Sequence, residues 1–291
     1  MVPRSFGQSG VRTSPLIFGS MRLDPVRMAA SEARQLLTYL IDHGVTTWHS
    51  SHEYESYAFF CELLRVLEPP APVHVIKLGE PHFDAPRFRP ERFVGLVEHA
   101  LKALRTERID IVQWMLRTTP NVDATRLPLL HACIGEVEAT AAQLEAQGKI
   151  GALAVFPYTA ATADVCLPRE ACDGLVTYVN LAEQEYVPYL ADLHARARGC
   201  LAIRPLCGGA LLDPETLGGQ ALTRLAQSRG ISPERRAELA LSWPLTHPCV
   251  SGVVVSVGTI AHAERAVSAC AIAPDLLAFT RAREEFCRGV A

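Results

Sequence analysis

Short runs of β-branched and aromatic residues alternate with helical stripes along almost the whole chain, and they do so eight times. The β-rich runs fall at residues 16–18, 45–48, 73–78, 109–116, 150–156, 175–181, 200–206 and 250–257. Between them, residues 30–43, 58–67, 90–104, 129–146, 189–198 and 261–270 carry apolar residues at helical spacing, with a poorer helix before 175 and one started by Ser232 and Pro233. Ala33, Leu36, Leu37, Leu40 and Ile41 form one such stripe, and Gly44 supplies its stop. Strands that alternate with helices imply a parallel sheet. Eight units within 291 residues favour a closed (β/α)8 barrel of α/β class over an open sheet. The whole chain, 1–291, reads as a single domain, with 271–291 as a short C-terminal helical tail running through Leu276 to Cys287.

Charge narrows the function. The 28 basic and 31 acidic side chains are interspersed and nearly cancel, so nothing marks a nucleic-acid surface. No apolar run reaches the length of a membrane span, and the first ten residues lack the apolar segment of a secretory leader. These features predict a cytoplasmic protein whose partner is a small molecule, and they leave its oligomeric state open.

The nine cysteines are scattered, odd in number and without a CxxC pair, so they read as buried free thiols rather than as a disulfide or zinc framework. His49 and His52 lack a third ligand, and no metal site is expected. Lysine is scarcer and more informative. Only Lys77, Lys102 and Lys149 occur, and Lys77 closes an apolar strand. In a barrel of this kind the chemistry sits where strands end in loops. That singles out His49 to Tyr54, Lys77, Trp114, Met115, Phe156, Arg204 to Gly209 and the segment from Gly258.

Several of these segments, in this order, resemble the aldo-keto reductase family. GVTTWHSSHEY at 44–54 is similar to its second-strand motif, VIK at 75–77 to its third-strand lysine motif, and RIDIVQWM at 108–115 to its fourth-strand pattern. GKIGALA at 148–154 and RPLCGGAL at 204–211 follow at matching spacing, and the resemblance covers roughly residues 14–270. It implies a barrel of the aldo-keto reductase type and NAD(P)H-dependent carbonyl reduction by a tyrosine acid, supported by a lysine, an aspartate and a histidine. Tyr54 and Lys77 match the first two. His49 stands at the aspartate position and Met115 at the histidine position.

The cofactor side departs as well. The positions that would hold the nicotinamide carboxamide are Phe156, Pro157 and Val176 (or Thr177), and Ile203 replaces the stacking aromatic. Arg204, Leu206, Gly208, Gly209, Gly258 and Thr259 keep a phosphate-binding pattern, with backbone N–H groups as donors. Arg265 is placed to meet a 2′-phosphate, with Glu264 opposing it. The resemblance therefore implies NADP or NAD, held by its phosphates.

The residues also permit other chemistry. Hydride transfer to a carbonyl needs an acid for the developing oxyanion, and a cation beside Tyr54 favours its tyrosinate. With His49 in place of an aspartate, Lys77 and His49 repel each other as cations, and both pKa values should fall. A neutral lysine can form a Schiff base and a neutral imidazole can act as base. Three readings stand: a reductase using Tyr54 and Lys77; a cofactor-independent lyase, isomerase or aldol-type enzyme using Lys77, His49 and Tyr54; or a non-catalytic binding or regulatory subunit. His52, Trp114, Met115 and Phe156 are expected to wall the pocket. Glu53 is expected in solvent or at a helix start.

Overall fold

Eight parallel strands close on themselves, each hydrogen-bonded to the next in chain order and the last to the first. In the computed structural model, which describes residues 1–83, 87–271 and 276–290, they are β3 (Leu16–Gly19), β4 (Thr47–Ser50), β5 (Val73–Gly79), β6 (Ile111–Met115), β7 (Leu153–Val155), β8 (Gly174–Tyr178), β9 (Gly199–Ile203) and β10 (Val250–Val255). The expected (β/α)8 barrel is present.

The barrel is preceded by a hairpin the sequence reading did not contain, β1 (Arg4–Ser5) and β2 (Arg12–Thr13). Its loop carries Phe6 and Val11 into the barrel's lower end, where both are buried beside Ile17, Val75, Ile111, Ala154, Val176 and Leu201. Gly174 and Gly199 make room for the Phe6 ring. A Cβ on Gly199 would lie 2.3 Å from that ring, and one on Gly174 would lie 2.0 Å from the Gly199 carbonyl oxygen. Strand side chains alternate in direction. One set fills this inner core, and the other packs beneath the helices in a second, larger core.

Helices α1 (Ala30–Asp42), α2 (Tyr57–Leu67), α3 (Pro90–Leu104), α4 (Asp123–Ala146), α5 (Ala160–Cys166) and α6 (Tyr189–Ala195) follow β3 to β8 in turn. Pro90 opens α3 at its first position, where a missing N–H costs nothing. Helix α4 begins at Asp123, ahead of the expected 129, and contains Pro128. An Arg126–Asp123 ion pair at 2.6 Å braces its first turn.

After β9 come α7 (Leu217–Ser228), which was not expected, and α8 (Arg236–Ser242). Ser232 and Pro233 start a short 3-10 turn rather than a helix, and the Ser232 hydroxyl caps no backbone N–H there. Helix α9 (Ile260–Cys270) is capped by Thr259, whose hydroxyl accepts from His262 N at 3.2 Å. The tail forms α10 (Leu276–Val290), which packs on α7. Residues 272–275 and 291 of the expected tail lie outside the described residues.

All nine cysteines are free, and most are buried. Among the described residues no helix is long and apolar enough to cross a membrane, and no cluster of His, Cys, Asp and Glu could hold a metal ion.

Candidate active site

At the C-terminal ends of the strands the barrel opens into a pocket of about 320 Å³. Its wall is formed by residues at or just past the strand ends: Gly19, His49, Lys77, Gln113 and Met115, Phe156, Tyr178, Ile203 and Val254. The inner core closes the floor beneath them. Tyr54 stands on the loop after β4, and the loop after β9 adds Arg204, Leu206, Gly208 and Gly209 to the rim.

The loop from β4 to α2 is tied directly to β5. The Ser51 hydroxyl donates to the Lys77 carbonyl at 3.0 Å and accepts from Glu53 N at 3.3 Å. This holds Glu53 over Lys77, with Glu53 Oε2 3.5 Å from the ammonium. Arg117 donates to the same carboxylate, and His82 Nε2 lies 3.6 Å from its other oxygen. Glu53 is therefore not a solvent-facing charge, as the sequence suggested. An acidic group thus reaches Lys77 from the loop after β4, while position 49 on the strand itself is a histidine.

Burial pulls the Lys77 pKa down, as expected, Arg117 adds to the fall, and Glu53 opposes it. The Lys77 ammonium lies over the face of the Tyr54 ring, 4.5 Å from its centroid. Burial and the Glu53 charge push the phenol up to about 12. The cation that opposes this rise is Arg117 rather than the expected Lys77, and burial outweighs it.

His49 is 6% exposed and its pKa falls to about 4, chiefly through desolvation, with Lys77 adding repulsion. It is neutral and donates through Nε2 to Oε1 of Gln113 at 2.7 Å. Gln113 is the ladder partner of Lys77 on the neighbouring strand. Sequence reading missed Gln113, although alternation along β6 requires it to share a face with Met115.

The same alternation corrects Trp114. It points away from the pocket into the outer core and donates through Nε1 to the Glu80 carbonyl. His52 also leaves the pocket. It is half-buried beside Glu53, His82, His99 and Arg117, with its pKa lowered by burial. Val176 lies one layer below the pocket in the inner core, and Tyr178 takes the inward position above it. The Pro157 carbonyl is occupied by the Tyr186 hydroxyl at 2.7 Å.

Arg204 adopts a left-handed backbone with φ of 54°. Its carbonyl is held by the Asn180 amide at 2.9 Å, while its side chain lies 3.3 Å from Glu183 and over the Tyr178 ring. Gly208 and Gly209 follow with φ of 69° and 110°, a conformation open to glycine. The N–H of Gly209 closes this turn onto the Leu206 carbonyl at 2.9 Å, so it is not free for a phosphate as expected. Gly258, Thr259 and Arg265 are exposed at the start and along the first turns of α9, outside the pocket lining.

The fold and this arrangement define a barrel with an active-site type of pocket at its strand ends. The sequence profile described as the aldo/keto reductase family matches residues 15–276. The chain belongs to the aldo/keto reductase family, a family of oxidoreductases.

Solved structures agree on the fold. An aldo-keto reductase of Bacillus halodurans in its holo form superposes with a TM-score of 0.79 at 18% identity, covering 98% of this chain and 96% of that one. One of Klebsiella pneumoniae, in complex with NADP and acetate, gives 0.73 at 19% identity, with 98% and 95% covered. One from Pseudomonas aeruginosa gives 0.70 at 24%, with 93% and 95% covered. A search of curated proteins finds no match.

Proposed function

We propose that this protein is an NAD(P)H-dependent reductase of small carbonyl or imine compounds, with Tyr54 as the acid and Lys77 as its partner. The observation that carries this reading is the convergence of Tyr54, Lys77, His49 and Gln113 on one pocket whose other walls are mostly apolar. A phenol held near pKa 12 stays protonated throughout the physiological range. An alkoxide is a stronger base than such a phenolate, so proton transfer from Tyr54 to the reduced oxygen runs downhill. Burial thus keeps Tyr54 in the protonated form that an acid requires. Lys77, whose charged form Glu53 favours, stabilises the phenolate left behind until solvent reprotonates it.

The chain's residues fit part of a nicotinamide dinucleotide well. Arg22, Lys77 and Arg204 line the pocket, the latter two beside Glu53 and Glu183, and their N–H donors suit the oxygen-rich groups of a dinucleotide. The first N–H groups of α9 beyond Thr259 face outward at its exposed N-terminus, a geometry suited to phosphate. Phe156, Tyr178 and Ile203 offer an apolar and aromatic wall to a flat ring. The carboxamide of that ring meets no side-chain partner at Phe156, Pro157 or Val176. When bound, the cofactor supplies the hydride that adds to the carbonyl carbon. Titration with NADH and NADPH by calorimetry tests the reading: micromolar binding of one or both supports it, and no binding to either overturns it.

A second reading is favoured by the apolar character of Phe156, Pro157 and Val176 together with the lowered pKa of Lys77. In it, Lys77 forms a Schiff base with a small carbonyl compound and His49 acts as base. Borohydride trapping of substrate on Lys77, in the absence of nicotinamide, would establish this alternative.

A further inference from the structure

Beneath Tyr54 and Lys77 the pocket wall holds one buried polar pair. His49 and Gln113 are 6% and 2% exposed, on facing inward positions of β4 and β6. The imidazole donates through Nε2 to Oε1 of Gln113 at 2.7 Å. That bond uses the acceptor of the amide and leaves its two N–H donors. Among the described residues no protein group accepts from them. Gln113 lines the pocket, so an oxygen of a molecule that enters can accept from this amide. Met115, one step further along β6, is a thioether and cannot donate.

We propose that Gln113 donates a hydrogen bond to the substrate's carbonyl oxygen alongside Tyr54, and that His49 is the positioning residue that fixes the orientation of its amide. An sp² oxygen has two lone pairs and can accept from both donors at once. A neutral, pre-oriented donor strengthens its bond as charge develops on oxygen, and it does not compete with Tyr54 to deliver the proton. A cation at this position would instead repel Lys77. The inference rests on the pocket being a carbonyl site.

Isotope-edited infrared spectroscopy of ¹³C-carbonyl benzaldehyde bound to the full-length protein tests it. The bound carbonyl band should lie below its position in water. It should rise in Gln113→Met and rise again when Tyr54→Phe is added. Steady-state kcat with benzaldehyde and reduced cofactor should fall about a hundredfold in Gln113→Met, with cofactor affinity unchanged. In His49→Phe the band should broaden, because the amide is no longer fixed.

Gln113→Glu keeps the shape and gives a readout that a purely structural residue would not move. Its kcat should rise as the pH falls, since only the protonated carboxyl can donate. An unshifted band and unchanged kcat in Gln113→Met, or a Gln113→Glu profile parallel to the native one, overturns the proposal while leaving the reductase reading intact. Failure of the native protein both to bind and to reduce benzaldehyde counts against the carbonyl site itself, and this assignment falls with it.

Discussion

Glu53 reaches Lys77 from the loop after β4, with its Oε2 3.5 Å from the ammonium, although the inward position on β4 itself is the uncharged His49. The same carboxylate anchors Arg117 and His82. One loop side chain thus sets the charge balance of two strands.

Replacing Glu53 by Gln should lower the Lys77 pKa further, because burial and the Arg117 charge then act unopposed. The ammonium is lost at a lower pH, so the high-pH limb of kcat/KM should move toward neutrality. A pH–rate profile measures this, and a limb that stays in place would show that Lys77 does not titrate in it. Arg117 also loses its partner, so stability should fall by about 1–3 kcal/mol in urea unfolding.

Tyr54→Phe removes the acid without changing the size of the pocket. The expected loss in kcat is about 10²–10⁴-fold, with cofactor affinity within twofold of the native protein by calorimetry. Full activity in both Tyr54→Phe and Lys77→Met would remove these two residues from the chemistry.

Acid should destabilise the protein over a defined window. His49, His74 and His247 are all buried, and burial lowers each to about 4 from an ordinary 6.5. Between those values the unfolded chain binds protons that the folded chain refuses. Their contribution is therefore fully present above about pH 6.5 and is lost as the pH falls toward 4. Each group can account for up to about 3 kcal/mol. The Tm should drop steeply between pH 6.5 and 4.5. His74 is shifted by burial alone, so His74→Leu should flatten the slope, whatever it does to stability at pH 7.

The lower end of the barrel should be sensitive without touching the chemistry. Phe6 is fully buried, and Phe6→Ala should cost about 3–5 kcal/mol. Gly174→Ala places a Cβ 2.0 Å from a backbone oxygen and should be worse than Phe6→Ala. Chemical denaturation measures both. Residual folded Phe6→Ala should retain native KM, because Phe6 lies outside the pocket lining.

The strand-and-helix rhythm made the barrel legible, because parallel strands buried on both faces and amphipathic helices leave different periodicities. Lys77 was legible through rarity and Tyr54 through spacing. Position along the chain puts both Trp114 and Met115 at the pocket, yet adjacent strand residues face opposite ways. Applying that rule to β6 would have exchanged Trp114 for Gln113.

The role of Glu53 lay beyond sequence reading. It depends on how a six-residue loop folds over the next strand, through the Ser51 hydroxyl and the Lys77 carbonyl. The hairpin was missed because its strands are two residues each, too short to show any period. Gly209 looked like a phosphate donor because sequence does not reveal which N–H groups a turn consumes.

The Phe6 stopper has a kinetic consequence. With the inner core closed at 0–3% exposure from Phe6 and Val11 up to Val176 and Leu201, the pocket has a closed floor and its doorway at the rim. A product molecule must leave past the same rim by which the next substrate arrives. Turnover should therefore be obligately sequential at that doorway, and accumulated product should compete directly with substrate for entry.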